Sequence, residues 1–537
     1  MRIGLFVLAG VLTVLFAEAA DGRSTVVTEQ RPVRVTSGGL VDFGRAAFGW
    51  LTLEVPESAA HGDYVIRLGE KLTADGHVDH RPGGTIRAVE VKGSFAGAGS
   101  FRVPLKADER NTTGVNGRAK AVKLRPELGV VMPFRYAEVV AAPFAAGVSN
   151  ITRSAVHWPM DLSVASFASS SPELDRVFDF CRYSIWATSF AGLYVDGDRE
   201  RIPYEADAYL NQLGHYALEA DFEMARRTFD HLMAHPTWPT EWRQHMIMMA
   251  WADWMYSGST DLIARHYIAL RDEKLMLELA REDGLLVTGG EFKAGAVRAD
   301  LGDIVDWPVG ERDGFVFRPV NAVVNAFHYR NLREMSEIAA ALGKAEDASR
   351  FAARAERVRT AFDRVFYRPS AGVYADGEGT DHASLHVNAA ALAFGLVPAG
   401  RKDAVADFLE RKGMACSVYF AQYLLEALFE AGRDEAAIRL MTASGDRSWL
   451  GMMEQGSTIT MEAWSLKAKG NQDWNHAWGT PPLNIISRYV LGVRPLKPGF
   501  AEYEVKPRRG SLAFVAGVVP TVRGPIRVDT RSRSSDL

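Results

Sequence analysis

The sequence contains very little cysteine, since Cys181 and Cys416 are the only two among 537 residues. So few thiols exclude a disulfide-rich scaffold. The scattered histidines lack the spacing of a metal-binding cluster, so we predict neither a metal site nor another cofactor. Cys181 lies on the apolar stripe of a predicted helix, which favours buried free thiols over a disulfide between the two cysteines.

An excess of charge of either sign is also missing. The 62 Lys and Arg residues nearly balance the 66 Asp and Glu residues, giving a net charge of −4. A chain of this kind has no electrostatic reason to hold a polyanion, so a nucleic-acid partner is disfavoured. The fractions of hydrophobic residues, 47%, and charged residues, 24%, are those of ordinary globular proteins and exclude a disordered chain.

Long apolar runs are absent except at the N-terminus. There Arg2 precedes an apolar run from Ile3 to Phe16, and Ala17-Glu18-Ala19 follows it. The run is shorter than the roughly 20 residues of a spanning helix, and small residues at alternate positions are typical of a signal-peptidase site. We therefore predict a signal peptide at 1–19, cleaved after Ala19, with export to the periplasm or beyond and no stable membrane insertion.

The remaining chain changes its hydrophobic period twice. Short β-rich runs such as Trp50–Val55, separated by Gly, Asp and Pro, predict a β-sandwich domain over residues 20–156. From Leu174 onward, apolar residues recur at spacings of three and four, which predicts helices over residues 157–492. Short strands return over residues 493–537, which end in a polar tail and are too few for a complete second sandwich.

The helical region contains about twelve predicted helices without intervening strands. A helical bundle, a solenoid and a toroid of six hairpins all consist of consecutive helices without strands. No fixed-period repeat indicates a solenoid, and the uneven loops rich in Trp, Asp and Gly are typical of active-site loops on a rigid scaffold. We therefore predict a mainly α fold, an (α/α)6 six-hairpin toroid preceded by the β-sandwich.

One predicted loop concentrates ionisable groups. Residues 196–207, with the sequence DGDRERIPYEAD, hold five carboxylates and two arginines directly before an apolar helical pattern. A solvated loop with a helix N-cap is the simplest interpretation. The interspersed aromatic and apolar residues Tyr194, Ile202 and Tyr204 would instead partly bury the charges. Such desolvation raises the pKa of a carboxyl group, as general acid catalysis near neutral pH requires.

A second loop lies near the other end of the helical region. Glu462 stands between Met461 and Trp464, and residues 471–479, NQDWNHAWG, follow. A glutamate in such apolar surroundings is costly to bury unless it has a partner or a task, although exposure on a loop would also explain it.

These two loops resemble the family-78 glycoside hydrolases, the α-L-rhamnosidases. Residues 199–208, RERIPYEADA, resemble that family's acidic motif, whose usual form is Asp-Glu-Arg-Leu-Gly-Trp-Thr-Gly-Asp-Ala, and residues 460–464, TMEAW, are similar to its Thr-Leu-Trp-Glu-Arg-Trp segment. Residues 302–307 resemble a Gly-Asp-Trp loop of the family. The chain departs from the motifs where Pro203–Ala206 replace Gly-Trp-Thr-Gly and where Met461 replaces Trp.

The resemblance implies a role for each matching residue in an inverting hydrolysis of terminal α-L-rhamnosyl linkages in oligosaccharides or glycosides. Glu200 matches the general acid and Glu462 the general base that activates water. Asp207 matches a sugar-binding carboxylate, and Asp196 matches the family's first Asp if one residue is deleted. Other residues predicted to bind the substrate at the mouth of the toroid are Arg199, Asp306, Trp307, Trp464, Trp474 and His476.

Other interpretations of these residues stay open at the level of sequence. The tryptophans are as consistent with core as with a pocket wall, and His476 with a brace at a helix start. A polysaccharide lyase on the same toroid would use Tyr204 or His476 as its base. A non-catalytic carbohydrate-binding protein is the third possibility, and retention of both Glu200 and Glu462 argues against it. The sequence indicates no oligomeric state.

Overall fold

The structure is a computed structural model that describes residues 24–112, 121–291 and 297–531. The predicted signal peptide at 1–19 lies outside these ranges, as do the last residues of the polar tail. Among the described residues, no helix combines the length and the apolar character needed to cross a bilayer.

The N-terminal domain is one antiparallel sheet that is folded around its longest strand, β3. Strand β3 pairs with β7 through residues 40–49 and with β8 through residues 49–53, and its register with β7 shifts between Asp42 and Ala47. The apolar face of the sheet buries its own core, which includes Leu51, Ile66 and Phe134. The strands are β1 Val26–Gln30, β2 Arg34–Val35, β3 Leu40–Val55, β4 Asp63–Gly69, β5 Ala88–Ser94, β6 Gly99–Arg102, β7 Met132–Ala141 and β8 Ile151–His157.

The central domain is the predicted toroid of helical hairpins. Its helices are α1 Pro172–Ala187, α2 Glu205–Tyr216, α3 Glu223–Ala234, α4 Thr240–Ser257, α5 Asp261–Ala269, α6 Ala322–Ala341, α7 Ala345–Phe366, α8 Leu385–Ala393, α9 Lys402–Lys412, α10 Ala421–Glu430, α11 Asp434–Met441, α12 Trp449–Glu454 and α13 Pro481–Ile485. Helices α2, α4, α6, α8, α10 and α13 each contact the next, and α13 contacts α2, so the inner ring is closed. This closure confirms the toroid and excludes an open solenoid.

The sequence pattern explains which helices lie inside. Every residue of α2 is buried, as is every residue of α8 except the last, Ala393, as expected for helices enclosed on all sides. The outer helix α7 instead buries one stripe, with Phe351, Ala355, Val358 and Phe362 at spacings of four, three and four, and turns charged residues to solvent. Cys181 and Cys416 are both buried and unpaired, which confirms the prediction of free thiols.

The last four strands form a two-stranded hairpin and part of a second sheet that begins earlier in the chain. After the short hairpin of β10 Tyr367–Arg368 and β11 Val373–Tyr374, the strands are β12 Val493–Pro495, β13 Tyr503–Val505, β14 Val515–Val519 and β15 Ile526–Asp529. Strand β14 pairs with β15 on one side and on the other with β9, Ser166–Ser169, which precedes the first helix of the toroid. The end of the chain is therefore fastened to the beginning of the helical domain.

Candidate active site

The two loops singled out in the sequence meet at one mouth of the toroid. Residues 196–204 lead into the inner helix α2, and residues 455–480 lead into the inner helix α13. These helices are neighbours in the closed ring, so their N-terminal ends lie side by side. Residues more than 260 positions apart in sequence are thereby placed in direct contact, as in the hydrogen bond of 2.8 Å from Asp198 N to Asn475 Oδ1.

Arg199 joins the two glutamates. Its Nη2 atom lies 3.3 Å from Oε1 of Glu200 and 2.9 Å from Oε1 of Glu462. The two oxygens are therefore separated by at most the sum of these distances, about 6.2 Å. One guanidinium nitrogen thus draws one oxygen of each carboxyl group toward itself, so the two groups face each other across Arg199.

Glu462 is buried in a cationic environment. Its Oε1 atom also accepts from Lys469 Nζ at 2.9 Å, and its Oε2 atom accepts from the backbone N–H of Asp473 at 3.2 Å. Burial by itself would raise the pKa of Glu462, but the positive charges of Arg199 and Lys469 and the nearby His476 outweigh it and lower that pKa. Glu462 is therefore held in its ionised form, the form that accepts a proton.

Glu200 is partly exposed, with 15% of its side chain accessible. Its Oε2 atom accepts a hydrogen bond of 2.8 Å from the hydroxyl of Tyr204, the residue that precedes α2. Asp196 lies close behind and is buried, with Oδ1 accepting from the backbone N–H of Ile202 at 2.9 Å. Burial and the charge of Glu200 raise the pKa of Asp196 well above its usual range, so Asp196 favours its neutral form.

Asp207 and His476 form a buried pair across the two loops. The His476 Nε2 atom lies 2.7 Å from Oδ1 of Asp207, whereas Oδ2 of Asp207 has no hydrogen-bond partner in the structure. Burial raises the pKa of Asp207 in spite of this contact. A buried carboxylate oxygen without a partner carries a desolvation cost, which a hydroxyl group of a bound ligand would relieve.

The remaining predicted site residues occupy different environments. Asp306 is fully buried, and its Oδ2 atom lies 2.7 Å from His386 Nε2 and accepts from Ser417 N at 2.9 Å. Trp464 is also buried and donates from Nε1 to the backbone oxygen of Cys416 at 2.7 Å. The side chains of Asp306 and Trp464 thus fasten the loops of neighbouring hairpins to one another. Trp307 is half-buried against the core, and Trp474 is buried with no partner for its Nε1 atom.

Sequence reasoning missed the contribution of the N-terminal domain. Thr85 donates from its backbone N–H to Gln472 O at 3.2 Å and from its hydroxyl to Asn471 O at 2.9 Å. Asn111 donates to Asp198 O at 2.7 Å, and Arg87 Nε lies 2.6 Å from Asp198 Oδ2. The domain thus holds both candidate catalytic loops from outside the toroid, and no local signal in the sequence indicated these pairings.

Glu70 of the N-terminal domain is buried at the same junction. Its Oε1 atom accepts from Asn475 Nδ2 at 3.1 Å, and burial raises the pKa of Glu70 to about 8. Asp473, in the loop that it faces, has a pKa raised to about 6 by burial and by the charge of Glu462. Burial therefore raises the pKa of Glu70 and Asp473, whereas the neighbouring cations lower that of Glu462.

Backbone geometry shapes the first loop. Gly197 has φ of 142°, and a Cβ atom there would lie 3.0 Å from Asp473 Oδ2 and 3.1 Å from Asn475 O, so a side chain would push the loops apart. Arg201, directly after Glu200, has φ of 55°, a strained conformation for a residue other than glycine. Its guanidinium donates to Asp198 Oδ1 at 2.6 Å and to Val131 O at 2.8 Å, and these bonds stabilise the strained conformation.

Three potential metal ligands also meet here within the described residues. One ligand atom each from Glu462, Asp473 and His476 lies within 4.8 Å of the others. The Glu462 carboxylate is already neutralised by Arg199 and Lys469, and His476 contacts Asp207 through Nε2. Two cationic side chains in direct contact with Glu462 oppose the binding of a further cation, so this cluster does not need a metal ion to balance its charge.

Comparisons with known proteins agree with this geometry. Residues 163–490 match the family model described as the bacterial alpha-L-rhamnosidase six-hairpin glycosidase domain. A curated alpha-L-rhamnosidase of Alteromonas sp. (strain LOR) is 29% identical over 225 residues, which are 38% of this chain and 23% of that protein.

Solved structures of rhamnosidases share the fold. The alpha-L-rhamnosidase of Dictyoglumus thermophilum has a TM-score of 0.75 at 19% identity, over 93% of this chain and 56% of that one. The Streptomyces avermitilis enzyme, solved with L-rhamnose, has a TM-score of 0.74 at 17% identity, over 95% and 48%. A Klebsiella oxytoca rhamnosidase has a TM-score of 0.64 at 15% identity, over 86% and 96%. The chain thus spans about half the length of the first two structures.

Proposed function

Because the chain belongs to the bacterial alpha-L-rhamnosidase six-hairpin glycosidase family, we propose that it is an exo-glycosidase that hydrolyses terminal α-L-rhamnosyl linkages of oligosaccharides or glycosides. The observation that carries this proposal is the pair of glutamates held on either side of Arg199 at the mouth of the toroid. Hydrolysis of a glycoside requires two such carboxyl groups with different protonation states. We also propose export, on the strength of the N-terminal apolar run.

In the proposed reaction, Glu200 protonates the glycosidic oxygen while Glu462 removes a proton from the attacking water. The water oxygen forms a bond to the anomeric carbon as the bond between that carbon and the glycosidic oxygen breaks. The electron pair of the broken bond goes to the glycosidic oxygen. The lowered pKa of Glu462 supports its role as base, because the group is ionised before water arrives. Asp196 and Asp207 would hold hydroxyl groups of the sugar, and the unpaired Oδ2 atom of Asp207 supports this role.

Arg199 has a second consequence for this mechanism. Its Nη2 atom contacts the Oε1 atom of each of the two glutamates. The glycosidic oxygen and the water molecule would replace it as hydrogen-bond partners when substrate binds, and the two carboxyl groups would then separate. We propose that the reaction inverts the anomeric configuration, as that wider separation would allow.

The geometry gives less support to a lyase. A lyase base must lose its proton before it attacks, but burial and the charges of Glu200 and Asp196 raise the pKa of Tyr204 well above its usual range. The other candidate base, His476, has its Nε2 atom against Asp207. The Nδ1 atom of His476 has no hydrogen-bond partner, but it is buried and so is not accessible to a uronate.

The test is a panel of p-nitrophenyl glycosides that includes α-L-rhamnoside, with the first-formed product followed by proton NMR. We expect nitrophenol release from the α-L-rhamnoside, and the β-anomer of rhamnose as the first product. Initial release of the α-anomer would contradict inversion. An unsaturated product absorbing in the ultraviolet would indicate a lyase, and no turnover of any glycoside would contradict the proposed function.

The charge on Lys469 leads to a testable pH dependence. Replacing Lys469 with Met removes one of the two cations on Glu462 Oε1, so the pKa of Glu462 should rise. The base is then protonated at a higher pH, and we expect the acid limb of the profile of kcat/KM against pH to move upward by roughly one unit.

The matched control for this prediction is Lys467→Met. Lys467 lies two residues away, is 83% exposed and pairs with Asp446 instead of Glu462. Its replacement should leave the acid limb in place. An unchanged acid limb in Lys469→Met would show that Lys469 does not set the ionisation of the base.

A further inference from the structure

Tyr204 occupies a position where this chain departs from the motif that it resembles. The residue four positions after the matched glutamate is Trp in that motif and Tyr here. A phenol ring ends in a hydroxyl group, whereas an indole has its single N–H on the side of a wider ring. The substitution therefore changes which hydrogen bonds can be made to Glu200.

The structure fixes the Tyr204 hydroxyl on one oxygen of Glu200. Tyr204 directly precedes α2, its backbone oxygen accepts the helical bond from Ala208 N at 2.8 Å, and its ring packs edge-on against Trp242 at 5.5 Å between centroids. With the ring held in this way, the hydroxyl lies 2.8 Å from Oε2 of Glu200. The high pKa of Tyr204 keeps the phenol protonated, so it is the donor.

The other oxygen of Glu200 has a different neighbour. Oε1 lies 3.3 Å from Arg199 Nη2, a long contact that a glycosidic oxygen can replace. Three charged or titratable groups of its own loop face Glu200: Arg199, Tyr204 and Asp196. On the second loop, Glu462 and Asp473 interact with Arg199, which lies between them and Glu200. Among these groups, only Tyr204 contacts Oε2.

We propose that Tyr204 is a positioning residue for Glu200, whose hydroxyl engages Oε2 and so leaves Oε1 as the oxygen that carries the transferable proton. In the protonated enzyme, Oε2 is the carbonyl oxygen and accepts from Tyr204. The proton then moves from Oε1 to the glycosidic oxygen, which receives the electron pair of the breaking C–O bond. The carboxylate that remains is stabilised by the same Tyr204 hydroxyl.

This inference rests on the proposed function and makes a prediction of its own for Tyr204→Phe. Without the hydroxyl, the carboxylate formed by proton transfer loses a charge-assisted hydrogen bond. We expect kcat to fall about tenfold for glycosides with poor leaving groups and to change little for p-nitrophenyl glycosides, which need less protonation. The alkaline limb of the kcat/KM profile should move upward by roughly one pH unit, and KM should hardly change.

The matched control is Tyr209→Phe. Tyr209 is a buried tyrosine of α2, the helix that Tyr204 precedes, and its hydroxyl accepts from Arg330 Nη2 at 2.8 Å instead of contacting a glutamate. Its replacement removes a hydroxyl from similar surroundings and should move neither the alkaline limb nor the dependence on the leaving group.

The outcomes separate this inference from the function on which it rests. If the wild-type chain hydrolyses α-L-rhamnosides and Tyr204→Phe shows the shifted limb and the selective loss, the inference is supported. If the wild type is active but Tyr204→Phe behaves like Tyr209→Phe, or loses activity equally on all leaving groups, the inference is overturned and the proposed function stands. A wild type without hydrolytic activity overturns both.

Discussion

Replacing Glu462 with Gln should lower kcat by about 100- to 10,000-fold while the substrate still binds. The amide keeps the size of the side chain and one acceptor oxygen but cannot take a proton from water. A base that acts only in the transition state contributes little to ground-state contacts, so the Kd for a rhamnoside should stay within a few-fold of the wild-type value. Single-turnover kinetics and calorimetric titration would measure the two quantities separately.

Chemical rescue distinguishes a missing base from a misfolded site. In Glu462→Ala, added azide can attack from the face that water normally uses, and an inverting enzyme should release β-L-rhamnosyl azide from an α-linked substrate. The matched control is Glu454→Gln, an exposed glutamate at the end of α12, which should retain wild-type kinetics. Near-normal turnover in Glu462→Gln would remove Glu462 from the mechanism.

Replacing Glu200 with Gln should produce a loss that depends on the leaving group. Glycosides with alkyl or sugar leaving groups need their oxygen protonated, so their kcat/KM should fall by about 100- to 10,000-fold. A p-nitrophenyl leaving group departs with little protonation, so the loss should be much smaller. The alkaline limb of the pH profile should flatten, because the group that must be protonated is gone. Steady-state kinetics on a leaving-group series would measure both effects.

Glu205→Gln is the control for this prediction, because Glu205 is another carboxyl group of the same segment. It is buried and its Oε1 atom accepts from the backbone N–H of Thr237 at 2.9 Å, away from Glu200. Thermal unfolding of this variant checks that it is folded, and we expect the leaving-group dependence of the wild type to be preserved. Equal losses of Glu200→Gln on activated and unactivated glycosides would contradict general acid catalysis by this residue.

The sequence by itself determined the order of the domains and the class of the central one. The change from short β-rich runs to spacings of three and four is a local property, and local periodicity reports which face of an element is buried. Such stripes predict helices over residues 320–342 and 345–366, and the structure contains them as α6, Ala322–Ala341, and α7, Ala345–Phe366. The motif around Glu200 was also visible, because its charged residues are contiguous.

The tertiary structure decided which distant groups act on one another. The contacts of Glu462 with Arg199 and of Asp207 with His476 span more than 260 residues, and they exist because the inner ring closes between α13 and α2. Lys469 contacts Glu462 through a loop that has no periodic pattern, and no sequence signal marks it.

The part played by the N-terminal domain was likewise invisible in the sequence. Thr85, Arg87 and Asn111 contact both site loops, although they belong to a separate domain with its own core. The shifts in the pKa values of Glu462, Asp196 and Tyr204 were also invisible in the sequence. They depend on burial and on charges within a few ångströms, which are properties of positions in space, and a linear sequence specifies those positions only through the completed fold.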